Sequence, residues 1–110
     1  MGRFVKGDIV VLPFPFSDLS SSKRRPALVI TQLKGDDVIL CQITSSAKSD
    51  GYSINLTDED FLQGGLNRDS NVRPNRLFTA DSHIVAYCTG RIATAKIDEV
   101  VNKIIQILQS

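Results

Sequence analysis

A chain of 110 residues, 42% hydrophobic and 23% charged, has the size and balance of one globular domain with its own core. Its net charge of +1 excludes polyanion binding by global basicity, so any nucleic-acid contact must rest on local patches. No apolar run is long enough to span a bilayer and no signal-like segment opens the chain, so a cytoplasmic location away from membranes is expected.

The first element in chain order is Asp8–Leu12 (DIVVL), a short β-like run. A polar, Ser-rich loop with two phenylalanines, Phe14 and Phe16, follows and ends in Lys23-Arg24-Arg25. Pro26 then launches Ala27–Thr31, and Lys34-Gly35-Asp36 predicts a tight turn into Val38–Ile43, making a hairpin. Gly51–Leu56 reads as a fourth strand. Thr57 looks like the N-cap of an acidic helical turn through Leu62, stopped by Gly64-Gly65. Ser70–Val72 and Arg76–Ala80 read as two short strands separated by Pro74, and Val85–Ile92 as the last strand. Ile97, Val100, Val101, Ile104, Ile105, Ile107 and Leu108 recur at helical spacing, so a helix is predicted over Thr94–Leu108. Its apolar stripe is wide enough to demand burial on the sheet, on a partner, or on both. The sum is a single, mainly β domain over residues 1–110 with a C-terminal helix, best matched by a small SH3-like barrel.

Chemistry concentrates in a few places. Arg25 directly precedes proline, which pushes its backbone into an extended conformation and partly sets the direction of its guanidinium. With Lys23 and Arg24 beside it, Arg25 is a natural phosphate ligand. Thr44-Ser45-Ser46 places hydroxyls at a strand end, able to donate to phosphate oxygens or simply to cap their own turn. Arg68, Arg73 and Arg76, with Ser70 and Asn75 between them, could line a phosphate track or form a solvated turn. Phe16 can stack on an unpaired base or anchor its loop, and Asp18 can accept from a base or hold Arg25. His83, the only histidine, cannot supply both acid and base and is expected to be structural or solvent-facing. Cys41 and Cys88 both lie in apolar runs, so burial as reduced thiols is expected, and their spacing matches no metal motif.

These segments resemble the MazF/PemK family of toxin endoribonucleases. The resemblance rests on Gly7-Asp8, the PFPFSD loop, Arg25-Pro26 before a branched apolar strand, Ile43-Thr44, and the block Asp69-Ser70, Val72-Arg73, Arg76 and Thr79-Ala80-Asp81. It implies a barrel-plus-helix homodimer that cleaves single-stranded RNA without a metal or other cofactor, leaving 2′,3′-cyclic phosphate and 5′-hydroxyl ends. Arg25 and Thr44 match the family's catalytic positions. Phe16, Asp18, Lys23, Arg24, Ser45, Ser70, Arg73, Asn75 and Arg76 become expected RNA contacts. A cognate antitoxin with an acidic disordered segment is implied as partner. The chain departs from the pattern at Asn75, where some members carry a catalytic aspartate, so no carboxylate base is available at that position. That departure keeps a second reading open, a non-catalytic toxin or binding module of the same fold, as in CcdB-type gyrase binders. An SH3-like peptide binder fits poorly, because aromatics are only 6% and tryptophan is absent.

Overall fold

The computed structural model describes residues 4–13, 23–46 and 50–110. Phe14, Phe16 and Asp18 lie outside the described residues. Among those described, seven strands form one antiparallel sheet that curls into a half-barrel, followed by a C-terminal helix. The strands are β1 (Asp8–Pro13), β2 (Arg24–Gln32), β3 (Asp37–Thr44), β4 (Ile54–Leu56), β5 (Phe61–Gly64), β6 (Ser70–Asp81) and β7 (Tyr87–Ile92), and the helix α1 covers Thr94–Gln109. Their order across the sheet is β4-β6-β3-β2-β1-β7-β5.

Alternation along the strands divides the apolar residues between two faces. On one face Ile9, Leu28, Cys41, Ile43 and Val72 join Ile54, Leu56 and Ile92 beneath Ile97, Val100 and Ile104 of α1. On the other, Val10, Leu12, Ala27, Val29, Val38 and Leu40 form a second cluster with Phe4, Phe78, Ala80 and Val85 packed against it. The wide stripe of α1 is only partly used, since Ile105 and Leu108 stay 44% and 72% exposed. Asp8 is buried but satisfied: its carboxylate accepts from the Val5 amide at 3.0 Å and from Arg91 Nε at 2.9 Å, tying the start of β1 to β7.

Three expectations are corrected. The acidic turn is a 3-10 turn limited to Asp58–Asp60, after which Phe61–Gly64 pairs with β7 as a strand. The Asp60 carboxylate accepts from the Thr57 amide at 2.8 Å, as at a helix start, but Phe61 is already extended and pairs with Ile92 of β7, which ends the turn. Ser70–Val72 and Arg76–Ala80 belong to one long strand. Pro74 is absorbed in a bulge, because the register with β3 jumps from Cys41↔Leu77 to Gln42↔Arg73 and frees Pro74, Asn75 and Arg76 from the ladder. Cys41 is buried as expected, whereas Cys88 is exposed. Tyr87 and Cys88 are consecutive and face opposite sides of β7, so both are exposed because this first part of the strand is uncovered on both faces.

Candidate active site

Polar groups gather where β2 begins, β3 ends and β6 begins. Ala27 pairs with Gln42 across β2 and β3, while Gln42 and Thr44 pair with Arg73 and Asn71 across β3 and β6. Paired residues project to the same side of a sheet, and so do residues two apart on one strand. Arg25, Thr44, Gln42, Asn71 and Arg73 therefore share a face, with Arg25 and Thr44 at its rim. Leu12 pairs with Arg25 and Pro13 with Arg24, so β1 braces the start of β2 from the other side.

A cavity of about 430 Å³ opens at this rim. Arg24, Arg25, Pro26, Ile43, Thr44 and Ser45 line it from the strand ends, and Leu66, Asn67, Arg68 and Ser70 from the connection between β5 and β6. That volume lies in the range of small-ligand clefts. Arg25 is half-buried, and its Nε finds no hydrogen-bond partner among the described residues. Thr44 Oγ1 accepts from the Ser46 amide at 3.2 Å. This bond occupies one lone pair and leaves the hydroxyl proton available to a ligand. Ser70 is buried, and its hydroxyl donates to the Arg68 carbonyl at 3.1 Å, which fixes the turn that presents Asn67 and Arg68.

The expected site residues thus divide. Arg24, Arg25, Thr44, Ser45 and Ser70 line the cavity. Lys23 is exposed one residue before β2, outside the lining. Asn75 and Arg76 are exposed on the β6 bulge, also outside it. Arg73 departs most from a solvated phosphate track: its side chain is 9% exposed and forms an ion pair with Asp50, and its Nε has no partner among the described residues. Arg73 and the amides of Tyr52 and Ser53 hold the Asp50 carboxyl below the usual carboxylate range, with the Tyr52 N–H the largest contributor. His83 is 73% exposed, and its Nδ1 meets Asp81 at 2.8 Å. It lies beyond the Asp37↔Asp81 pair, at the opposite end of the β3–β6 ladder from Thr44↔Asn71. Seven residues at about 3.3 Å each put it roughly 20 Å from the cavity.

Arg68 was read from sequence as part of a phosphate track, whereas Leu66 and Asn67 were not foreseeable as lining residues from local pattern. The arginine-rich composition around Arg68 is the single available signal. Their position follows from β5, the strand that sequence reading replaced with a helical turn.

The fold is shared with solved toxin structures. The chain superposes on a MazE–MazF structure from Deinococcus radiodurans with a TM-score of 0.77 at 20% identity, covering 97% of each chain. It superposes on the Mycobacterium tuberculosis toxin MazF-mt6 with a TM-score of 0.73 at 15% identity, covering 93% of this chain and 96% of that one. An endoribonuclease from a mycobacterial species, solved in complex with its cognate antitoxin, gives 0.73 at 13% identity over 99% and 96% of the two chains. Comparison with curated proteins yields no match. The family model for PemK-like, MazF-like toxins of type II toxin–antitoxin systems matches residues 5–108. The chain belongs to that family.

Among the described residues, no helix is long and apolar enough to cross a membrane.

Proposed function

We propose that this chain is the toxin of a toxin–antitoxin pair and inhibits growth by sequence-selective, metal-independent cleavage of single-stranded mRNA in the cytoplasm. The observation that carries the reading is the cavity that brings Arg25 and Thr44 together with Arg24, Ser45, Asn67, Arg68 and Ser70. The ribose 2′-hydroxyl attacks the adjacent phosphorus, the phosphorane collapses with loss of the 5′-oxygen, and the products carry 2′,3′-cyclic phosphate and 5′-hydroxyl ends. The site must align attack and neutralise the charge that builds on the phosphoryl oxygens. Arg25 suits the second task, because guanidinium is planar, bidentate and permanently charged, and the residue lines the cavity. Its high pKa makes it a poor proton donor. Thr44, already accepting from Ser46, donates its hydroxyl proton to a phosphoryl oxygen or orients the 2′-hydroxyl. Arg24, Lys23 and Arg68 guide the flanking phosphates, Ser45 adds a donor, and Ser70 holds the Arg68 turn. Asn75 and Arg76 contact nucleotides outside the cavity, and Phe16 and Asp18 are further RNA contacts. An acidic, disordered antitoxin segment occupies the same cationic groove and folds there, and the toxin works as a homodimer.

The test is incubation of the purified protein with single-stranded RNA of varied sequence in excess EDTA. Cleavage should occur, yield 2′,3′-cyclic phosphate by end-group analysis, and vanish in Arg25→Ala and Thr44→Ala. RNA left intact throughout, together with gyrase poisoning, would replace this reading with that of a non-catalytic toxin of the same fold.

A further inference from the structure

Three polar residues are buried among those described: Asp8, Ser70 and Arg73. Asp8 is satisfied by the Val5 amide and Arg91, and the Ser70 hydroxyl by the Arg68 carbonyl, with no polar atom of either left over. Arg73 is different. Its guanidinium is buried, its Nη2 binds a carboxylate 23 residues away in sequence, and its Nε is left without a partner. Arg73 is buried while the Asp50 side chain is 32% exposed, so the pair stands half in solvent and is weak support for stability. What it does is join two segments distant in sequence.

The partner is informative. Asp50 follows Thr44 by six residues, in the connection from β3 to β4. One oxygen of its carboxylate accepts from the Tyr52 amide at 3.0 Å and the other takes Arg73. At the opposite end of the connection the Ser46 amide binds Thr44 Oγ1. Arg73 itself sits on β6 opposite Gln42, two residues from the Asn71 that faces Thr44. The ion pair therefore ties Asp50, at the far end of that connection, to β6 two residues from the Thr44↔Asn71 pair.

Resting on the ribonuclease reading, we infer that Arg73 and Asp50 are a positioning pair: they hold Thr44 and Ser45 toward the cavity, and Arg73 does not touch the RNA. Both charges must be removed together to test this, because a buried arginine without its carboxylate would destabilise the fold by itself. The variant is Arg73→Met/Asp50→Asn, compared with wild type and with Arg73→Lys. The double variant should unfold within a few degrees of wild type, while its Ser46 amide exchanges with deuterium about tenfold faster. It should bind RNA carrying a 2′-deoxy nucleotide at the cut site within about threefold of wild type, yet lose kcat by about 30- to 100-fold, as expected for small misplacement of a catalytic group. Arg73→Lys, which keeps the charge, should recover most of that loss. Unchanged exchange at Ser46, or unchanged kcat, would overturn the inference. So would a tenfold loss of RNA binding at unchanged kcat, which would make Arg73 a direct RNA contact. Should wild type itself leave RNA intact, the nuclease reading falls, while the exchange measurement still decides whether the pair holds Thr44 and Ser45.

Discussion

At Thr44 a single hydrogen bond decides which chemistry is open. The Ser46 amide takes one lone pair of the hydroxyl, so Thr44 is oriented to donate outward. A donor opposite a guanidinium is an arrangement for stabilising negative charge, and it offers no base. Asn75 does not fill that gap, because it is an amide and lies on the bulge outside the cavity. Single residues also set two further expectations. Burial pushes the Cys41 thiol up to about 12, so it stays protonated and unreactive at ordinary pH, while Cys88 is exposed. Mild alkylation of the native protein near pH 8 should add one group, at Cys88, and denaturant should allow the second. Two adducts on the native fold would contradict the burial of Cys41. Asp50 gives a pH dependence. Its carboxyl is held below the usual range in the fold, so it contributes stability that is complete above the unfolded value of about 4 and is lost as pH falls through the lower folded value. The stability gap between wild type and Asp50→Asn should be constant from pH 8 to about 5 and close at more acidic pH. A gap that persists unchanged at pH 2 would show that charge at Asp50 is not what matters.

At the scale of elements, the two edge strands are short and the ladder between them is irregular, and both facts bear on the cavity. β5 ends in Gly64, at φ +68, where an added Cβ would collide with the Thr89 carbonyl oxygen. Gly35, at φ +73, has open space around the same position. Gly35→Ala should therefore cost only the backbone penalty, about 1 kcal/mol, while Gly64→Ala should cost more than about 2 kcal/mol by adding a clash with main chain. Urea unfolding of the two variants gives the difference, and equal losses would mean that the Gly64–Thr89 approach is not tight. Because Gly64 precedes Leu66–Arg68, its variant should also weaken RNA cleavage more than Gly35→Ala does. The same elements mark what could be read from sequence. β1, β2, β3 and α1 announce themselves through apolar periodicity, and the β2–β3 turn through Lys34-Gly35-Asp36. The strand-end positions of Arg25 and Thr44 follow from those strands, while the expectation that the two act together came from the family resemblance. β5 was not, since Phe61–Gly64 follows directly on an acidic turn whose local chemistry favours a helical start, and its strand state comes from pairing with β7. The continuity of β6 was hidden by Pro74, whose missing N–H is tolerated only because a bulge takes it out of the ladder. The burial of Arg73 was equally hidden, because arginine is rarely interior and its carboxylate partner comes from a distant loop.

On the scale of the whole molecule, charge and shape limit how RNA can be held. The described structure is nearly isotropic, 31 × 30 × 30 Å, and the net charge of the chain is only +1, so RNA must be held by a local cluster of cations. The acidic groups Asp36, Asp37 and Asp81 gather at the end of the sheet remote from the cavity, where Asp37 pairs with Asp81. Arg24, Arg25 and Arg68 line the cavity itself, with Lys23 beside them. Binding should therefore be local: about three or four phosphates neutralised, each releasing about 0.7 of a counterion from single-stranded RNA. A plot of log K against log salt for a non-cleavable 2′-deoxy-substituted RNA should have a slope of about −2 to −3. Arg68→Ala should weaken binding at low salt and flatten that slope by about 0.7, because it removes one phosphate contact and leaves the catalytic pair in place. Arg73→Met/Asp50→Asn should leave the slope unchanged, since on the reading above Arg73 meets a carboxylate and no phosphate. A flatter slope in that double variant, with an unaltered one in Arg68→Ala, would exchange the roles of the two arginines and move the RNA path from the cavity rim toward β6.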